Sequence, residues 1–537
     1  MLSRRELLTI FLGAPFAAIA CRKVPRVGLP PGEIAGASDA VGHRLRESVR
    51  AMPAADAWSS HDIVIVGGGM AGLSAAWRLA RAGVDDFILL ELEPVVGGTS
   101  RSGTSSVSAY PWGAHYVPAP LAEDRALTRL LGEMGVVERT GDDGNPVIAE
   151  QFLVRDPDER LFFRGRWYEG LYLNAGASAG DLRQLKAFDD EVNRWVGWRD
   201  GKGRRAFAIP VAAASDDAEV MALDRVSMRE WIDARGWHSP RLRWLVDYAC
   251  RDDYGAHMDD VSAWAGIFYF ASRVAAPGKP SQPLITWPEG NGRIVNYLTG
   301  FARGRAEAGW LVTTVIPKHE GVDVIALSRD GRSLRGIHAK RVIFAAPQFI
   351  AAAVIRDYRD VRDFTYGSWL VANVTLRDRP SQEEGFPLAW DNVLYESPGL
   401  GYVVATHQTG SDYGPTVLTY YHALCDTDPR LSRQRLLSAG RDEWAEVVLT
   451  DLGRAHGDVR SLATRLDVMR WGHAMVRPRP GLLSSGALQR ARAPLRGIHF
   501  AHSDLSGVAL FEEALHHGVR AAEEILSARG RLSPSFL

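Results

Sequence analysis

The sequence predicts an α/β fold, in which a parallel sheet with helices on both faces is interleaved with a mixed α+β domain. Three observations carry this. Past residue 60, short β-branched runs alternate with helical patterns, as strand–helix–strand units require. The run Ile63-Val64-Ile65-Val66 is continuously apolar, as expected for a strand buried on both faces. Gly67, Gly69 and Gly72 follow that run at the spacing of a phosphate-binding turn, ahead of an Ala-rich helical stretch.

Each part of this start has a physical reason. Gly67 permits the tight turn, Gly69 lets the backbone approach a pyrophosphate, and Gly72 lets the helix lie close to the strand. Met70 and Ala71 open the helix, which continues from Leu73 to Ala82 and presents its N-terminal amides and positive dipole end to the phosphates. A second apolar run, Phe87-Ile88-Leu89-Leu90, ends at Glu91, about twenty residues past the glycines. A carboxylate there accepts hydrogen bonds from a ribose diol and repels a 2′-phosphate. Strand, glycine triplet, helix, second strand and acid, in this order, define a Rossmann-like dinucleotide-binding domain. This motif does not by itself separate FAD from NAD.

Composition narrows the class. The chain has 537 residues, 46% hydrophobic and 24% charged, with formal net charge −1. That balance gives no electrostatic reason to expect a nucleic-acid partner. Its 16 Trp suggest an aromatic interior or cleft wall. Only Cys21, Cys250 and Cys425 are present, so no disulfide framework is expected. Cys250 and Cys425 could pair, but they read more simply as small buried groups.

The N-terminus reads as an address. Arg4-Arg5 precede a short apolar run from Thr9 to Ala20, interrupted by Pro15 and ending at Cys21. Residues 1–21 resemble a twin-arginine export signal, which implies the twin-arginine machinery as a partner and a folded enzyme exported to the periplasm or cell envelope. Ala18-Ile19-Ala20-Cys21 also resembles a lipobox, which would make a lipid on Cys21 the protein's contact with the membrane. Residues 22–60 are expected to be a spacer, with a helix near Val41 to Met52.

Several later segments resemble the flavin amine oxidase superfamily, which also includes phytoene desaturases and protoporphyrinogen oxidases. Gly97-Gly98, with Thr99, resembles the glycine doublet that follows the acid. Gly113-Ala114-His115-Tyr116 resembles the segment beside the flavin, and Trp287-Pro288-Glu289-Gly290-Asn291-Gly292 the turn that starts the middle flavin segment. Val312 to Val315 is similar to the strand whose backbone meets the adenine. Phe500-Ala501-His502-Ser503-Asp504 resembles the terminal segment whose acid binds the ribityl chain, and Phe511 opens the helix facing the flavin pyrimidine edge. The resemblance implies non-covalent FAD. It implies cofactor contacts from Gly67, Gly69, Met70, Ala71, Gly72, Glu91, Gly97, Gly98, Thr99, Gly113, Ala114, His115, Val315, Asp504 and Phe511. The expected division is 61–125, 281–350 and 466–530 for the FAD domain, with 126–280 and 351–465 for the substrate domain.

Three departures from the family pattern stand out. Thr99 and Glu93 occupy places where amine oxidases carry Arg, so Arg101 is a candidate substitute. The terminal acid is displaced by one place to Asp504. The strand that bears a lysine beside the flavin N5 in many amine oxidases reads Trp369-Leu370-Val371-Ala372-Asn373-Val374, with Val371, or Asn373 in a shifted register, at the lysine's place.

The substrate face is less legible, and no catalytic residue is assigned. Trp471 fits an aromatic wall and plain core packing equally well. Tyr254 is a substrate-face candidate within Cys250-Arg251-Asp252-Asp253-Tyr254-Gly255, a cluster that reads first as a helix-end ion-pair network. His115 fits a base or a structural histidine. His516-His517 are expected on an exposed helix face, and no Cys/His/carboxylate spacing supports a metal. The expected activity is FAD-dependent oxidation of a C–N bond in an amine, polyamine-like amines included, with the electron acceptor left open. Dehydrogenation or isomerisation of an apolar substrate is the alternative enzyme, and a non-catalytic envelope flavoprotein the alternative from another class.

Overall fold

The computed structural model describes residues 28–47, 51–358, 363–382, 386–531 and 534–537. The signal expected over residues 1–21, including Cys21, lies outside the described residues. Among the described residues no helix is long and apolar enough to cross a membrane.

The predicted strand is real and starts earlier, as Trp58–Val66, with Ile63 to Val66 almost without exposure. It lies between Phe87–Glu91 and Leu334–Phe344, both parallel to it. Ala306–Ala308 extends the sheet on one side. Leu334–Phe344 divides its outer edge between two neighbours. Its first half pairs antiparallel with Val322–Ser328, and its last residues pair parallel with Ile498–Phe500. Trp310–Pro317 closes that end. Three separated stretches of chain therefore build one Rossmann-like sheet. The helices Met70–Arg81 and Phe511–Ala528 pack together against it, so closely that a Cβ at Gly518 would lie 2.2 Å from the Ala71 carbonyl oxygen.

A second, largely antiparallel sheet runs in the spatial order Ile34–Gly36, Ala463–Val476, Tyr366–Leu376, Thr416–Ala423, Gly401–Val404, Asp391–Leu394, Glu159–Phe163, Arg166–Glu169. Its central strands Tyr366–Leu376 and Thr416–Ala423 are buried at every residue. The period-2 alternation explains why. Leu370, Ala372 and Val374 join a cluster with Trp444 and Val448 of the covering helix Arg441–Leu452. Trp369 and Val371 face the other way, into a cluster with Tyr421 and Val403.

Four expectations need correction. Residues 28–36 are not a free spacer: Ile34–Gly36 is an edge strand parallel to Ala463–Val476, and a Cβ at Gly32 would collide with the Leu466 carbonyl at 1.8 Å. Of the helix expected near Val41 to Met52, the described part is a short helix Asp39–Gly42 and a 3-10 turn His43–Glu47, and residues 48–50 lie outside the described residues. Ala463–Val476 belongs to the second sheet, so the terminal FAD-domain segment begins after it rather than at 466. His516 and His517 are also buried, not exposed, because that helix is covered on most of its circumference.

Candidate active site

The glycine turn has the shape the sequence implied. Gly67 sits at φ +103°, and a Cβ at Gly72 would lie 1.9 Å from the Gly67 carbonyl oxygen, so helix and turn are in backbone contact. Gly69 is different. A Cβ there would meet nothing nearer than the Gly98 α-carbon at 3.9 Å, so this face of the turn is open. Gly69 is also the N-cap of Met70–Arg81, and among the described residues no side chain caps it. The first-turn amides therefore lack side-chain partners and point to a concave backbone surface, the arrangement that binds phosphate.

Gly97 donates its amide to the Gly68 carbonyl at 2.7 Å, which brings the doublet onto the turn. Glu91 braces the same loop: its oxygens accept from the Gly68 amide at 2.7 Å and the Glu93 amide at 2.8 Å. Burial raises its pKa, while these two amides and Arg101 oppose the rise. Arg101 does not stand free to take the missing arginines' place. It lies 3.5 Å from the Glu93 carboxylate and over the Trp471 ring at 5.4 Å.

Beyond the turn lies a cavity of about 260 Å³ against the second sheet. Its cofactor-side wall is Thr99, Gly113, Ala114, His115 and Ala509 to Glu512. This wall is rigidly held. Ala114 donates to the Thr99 carbonyl at 3.0 Å, Tyr421 donates its hydroxyl to the Gly113 carbonyl at 2.8 Å, and Asn291 donates its side-chain amide to the Tyr116 carbonyl at 3.1 Å. Gly290, at φ +56°, comes so near that a Cβ would lie 2.8 Å from the His115 α-carbon. The two flavin-like segments thus interlock.

The opposite walls are aromatic and acidic. The His115 ring stacks on Tyr421 at 4.8 Å and lies 5.4 Å from Trp390. Burial pushes the His115 pKa down to about 4, so the imidazole is neutral at pH 7. Trp369, Val371 and Trp471 come from adjacent strands, with Trp471 donating its indole N–H to the Trp112 carbonyl at 2.6 Å. Six carboxylates line the space, Asp158, Glu159, Asp252, Asp253, Asp391 and Glu512, against one guanidinium, Arg273. Arg273 is already paired with Asp253 at 2.8 Å. Burial, then neighbouring negative charge, pushes Glu159 and Asp252 up to about 8 and Asp391 well above the carboxylate range.

Of the predicted contacts, Thr99, Gly113, Ala114, His115, Phe511 and Trp471 line this cavity. Gly67, Gly69, Met70, Ala71, Gly72, Glu91, Gly97 and Gly98 are grouped around the turn. Three others lie outside this lining. Tyr254 is fully buried in the helical core and donates to the Ala265 carbonyl at 2.8 Å. The 100° step of the helix turns it away, while its neighbours Asp252 and Asp253 face the cavity. Asp504 stands apart from the cavity lining. Its carboxylate accepts from the Gln348 amide at 2.9 Å and the Tyr366 hydroxyl at 2.6 Å, and it pairs with His502 at 3.0 Å. Burial alone would raise the Asp504 pKa, but His502 and Tyr366 outweigh it and hold it below the usual range. Val315 is fully buried, and its carbonyl accepts from the Arg356 amide at 3.0 Å. The acidic lining was missed, apart from the polar cluster at 252–253, because Asp158, Glu159, Asp391 and Glu512 sit in unrelated segments with no shared spacing.

These residues fit FAD. The turn is open at Gly69, and among the described residues the helix start is uncapped and Asn291 Oδ1, Trp369 Nε1 and Glu512 Oε1 on the cavity wall have no hydrogen-bond partner. Comparison with known proteins agrees. Residues 70–526 match the family described as flavin containing amine oxidoreductase. The oxidoreductase PigB of Serratia sp. is 22% identical over 528 residues, covering 87% of this chain and 75% of its own. A solved putrescine oxidase bound to putrescine shares the fold, with a TM-score of 0.66, 17% identity and coverage of 88% of this chain and 100% of that one. A fatty acid isomerase from P. acnes shares it too, with a TM-score of 0.59, 14% identity and coverage of 87% and 98%. The chain is an FAD-dependent oxidoreductase and belongs to the flavin-containing amine oxidoreductase family.

Proposed function

We propose that this enzyme oxidises the C–N bond of a small amine that enters as its ammonium. The observation that carries this reading is the lining itself: six carboxylates and one already-paired guanidinium, set among aromatic rings. An apolar polyene or acyl chain gains nothing from buried carboxyls, which would only add desolvation cost. An ammonium gains twice, from the carboxylates and from the faces of Trp369, Tyr421 and Trp390.

Bound FAD supplies a two-electron acceptor for the substrate's C–H bond. The chain's own residues position and desolvate. The carboxylates at 158–159, 252–253 and 391 would hold the cation, and the stacked His115 and Tyr421 rings would limit its approach to one direction. Neutral His115 adds no repulsive charge to that wall. Anaerobic mixing with a panel of amines, read as loss of flavin absorbance, tests the reading. Reduction by unsaturated acyl chains but by no amine would sink it.

We also propose that the protein is exported folded by the twin-arginine machinery and tethered through Cys21. Arg4-Arg5 ahead of the short apolar run, and the segment ending at Cys21, support this.

A further inference from the structure

Outside the cavity, His257, Cys425 and Asp426 come together. One ligand atom from each, an imidazole nitrogen, Sγ and a carboxylate oxygen, lies within 4.8 Å of the others. In a tetrahedral site with ligand bonds of about 2.0–2.3 Å the ligand atoms stand roughly 3.3–3.8 Å apart, so the trio reaches that geometry by closing in by about 1 Å at most. The trio draws on two distant segments: His257 just past the helix Pro240–Tyr254, and Cys425-Asp426 just past the strand Thr416–Ala423.

Two further observations fit a metal. Asp247 holds the other side of the imidazole, with both carboxylate oxygens 3.1 Å from His257 Nδ1, leaving Nε2, which lies 3.2 Å from Asp426 Oδ1, on the side of the other ligands. A carboxylate behind a histidine in this way fixes the ring and its tautomer for ligation. Asp247 is itself anchored by the Met258 amide at 3.0 Å and Arg251 at 3.2 Å. The ligand loops are also fixed before any ion arrives: the Leu424 amide donates to the Ser368 carbonyl at 2.9 Å, and the Val261 amide to the His257 carbonyl at 3.2 Å.

We infer that His257, Cys425 and Asp426 form a zinc-class metal site with a fourth position open to solvent. One thiolate, one imidazole and one carboxylate favour a borderline divalent ion over calcium or magnesium. On binding, the thiol proton leaves to solvent and the imidazole binds through Nε2. Nothing is oxidised or reduced. The site would clamp the helix that carries Asp252 and Asp253 to the strand that carries Tyr421, two walls of the cavity.

The test uses the full FAD-loaded chain, stripped with chelator, given one equivalent of Zn²⁺ and passed through gel filtration. Bound zinc should be close to one per chain, with a sulfur scatterer at about 2.3 Å in X-ray absorption. His257→Gln and Cys425→Ser should lose the zinc while keeping their FAD. Asp426→Asn, at an exposed position, provides the same test should the cysteine variant fold poorly. Asp247→Asn should weaken binding about 10–100-fold, the cost of losing the group behind the histidine. Zinc that washes off the parent protein, stays equally on the variants, or lacks a sulfur neighbour would overturn the site.

Discussion

A Cβ on Gly72 would lie 1.9 Å from the Gly67 carbonyl oxygen, whereas one on Gly69, three residues earlier, would meet nothing within 3.9 Å. Two glycines of one motif therefore do different work. Gly72 is needed by the fold, whereas Gly69 leaves a face of the turn open.

Substitution should separate these roles. Gly72→Ala forces helix and turn apart and should cost about 1–3 kcal/mol or more, seen as a lowered Tm even without cofactor. Gly69→Ala keeps an allowed backbone, at φ −73° and ψ −174°, and should leave the Tm of the FAD-free protein nearly unchanged. Its methyl would occupy the open face, so FAD content should fall sharply. Equal FAD loss with equal destabilisation in both variants would refute the division.

The acidic cavity makes a pH prediction. Glu159 and Asp252 titrate near 8 in the folded protein, held there first by burial, with Asp158 adding to Glu159 and with Asp253 and Asp391 adding to Asp252 against Arg273 and Arg251. In an unfolded chain such groups ionise near about 4. Between about pH 4 and pH 8 the native state thus holds more protons, so stability without substrate should fall as pH rises through that window. Ammonium binding prefers the ionised carboxylates, so it should release protons and tighten as pH rises toward 8. Calorimetry in buffers of different ionisation enthalpy measures that release, and a value of zero would count against a cationic substrate.

Asp252→Asn should flatten part of this dependence. Losing one charge-assisted contact worth about 1.5–3 kcal/mol should raise KM for an amine about tenfold or more. An unchanged KM would remove Asp252 from the binding surface.

Val371 lines the cavity, with Tyr421 and Met469 as its cross-strand neighbours. Asn373 is instead committed to the Pro111 carbonyl and the Thr419 hydroxyl. With Val371 at the lysine's place, that position is apolar. His115 is neutral, and Arg273 is bound to Asp253. Reduction of O₂ passes through superoxide, an anion that a nearby cation stabilises. Reoxidation of the reduced enzyme in aerated buffer should therefore be slow in stopped flow, and Val371→Lys should speed it. A fast parent enzyme would disprove the argument.

Export is tested by Arg4 and Arg5 replaced together by Lys, which should hold the precursor in the cytoplasm with normal FAD. Cys21→Ala should abolish membrane association and the acyl mass. Normal delivery of the double-Lys form would exclude the twin-arginine route.

Strand, glycine triplet, helix and Glu91 could be read along the chain because each is a local requirement: a buried strand, a turn only glycine can make, a helix start without a cap, all within about thirty contiguous residues. The carboxylates of the cavity could not. Asp158, Asp391 and Glu512 meet only through the pairing of Glu159–Phe163 with Asp391–Leu394 and the docking of the terminal helix. In a strand or helix, one residue's displacement turns a side chain from cavity to core, as Tyr254 beside Asp253 shows. The motif pointed to Asp504, but only the packing shows that its carboxylate is held by Tyr366 and His502. The local backbone grammar lies in consecutive residues, whereas the charge of the site arises from long-range packing that brings distant side chains to one surface.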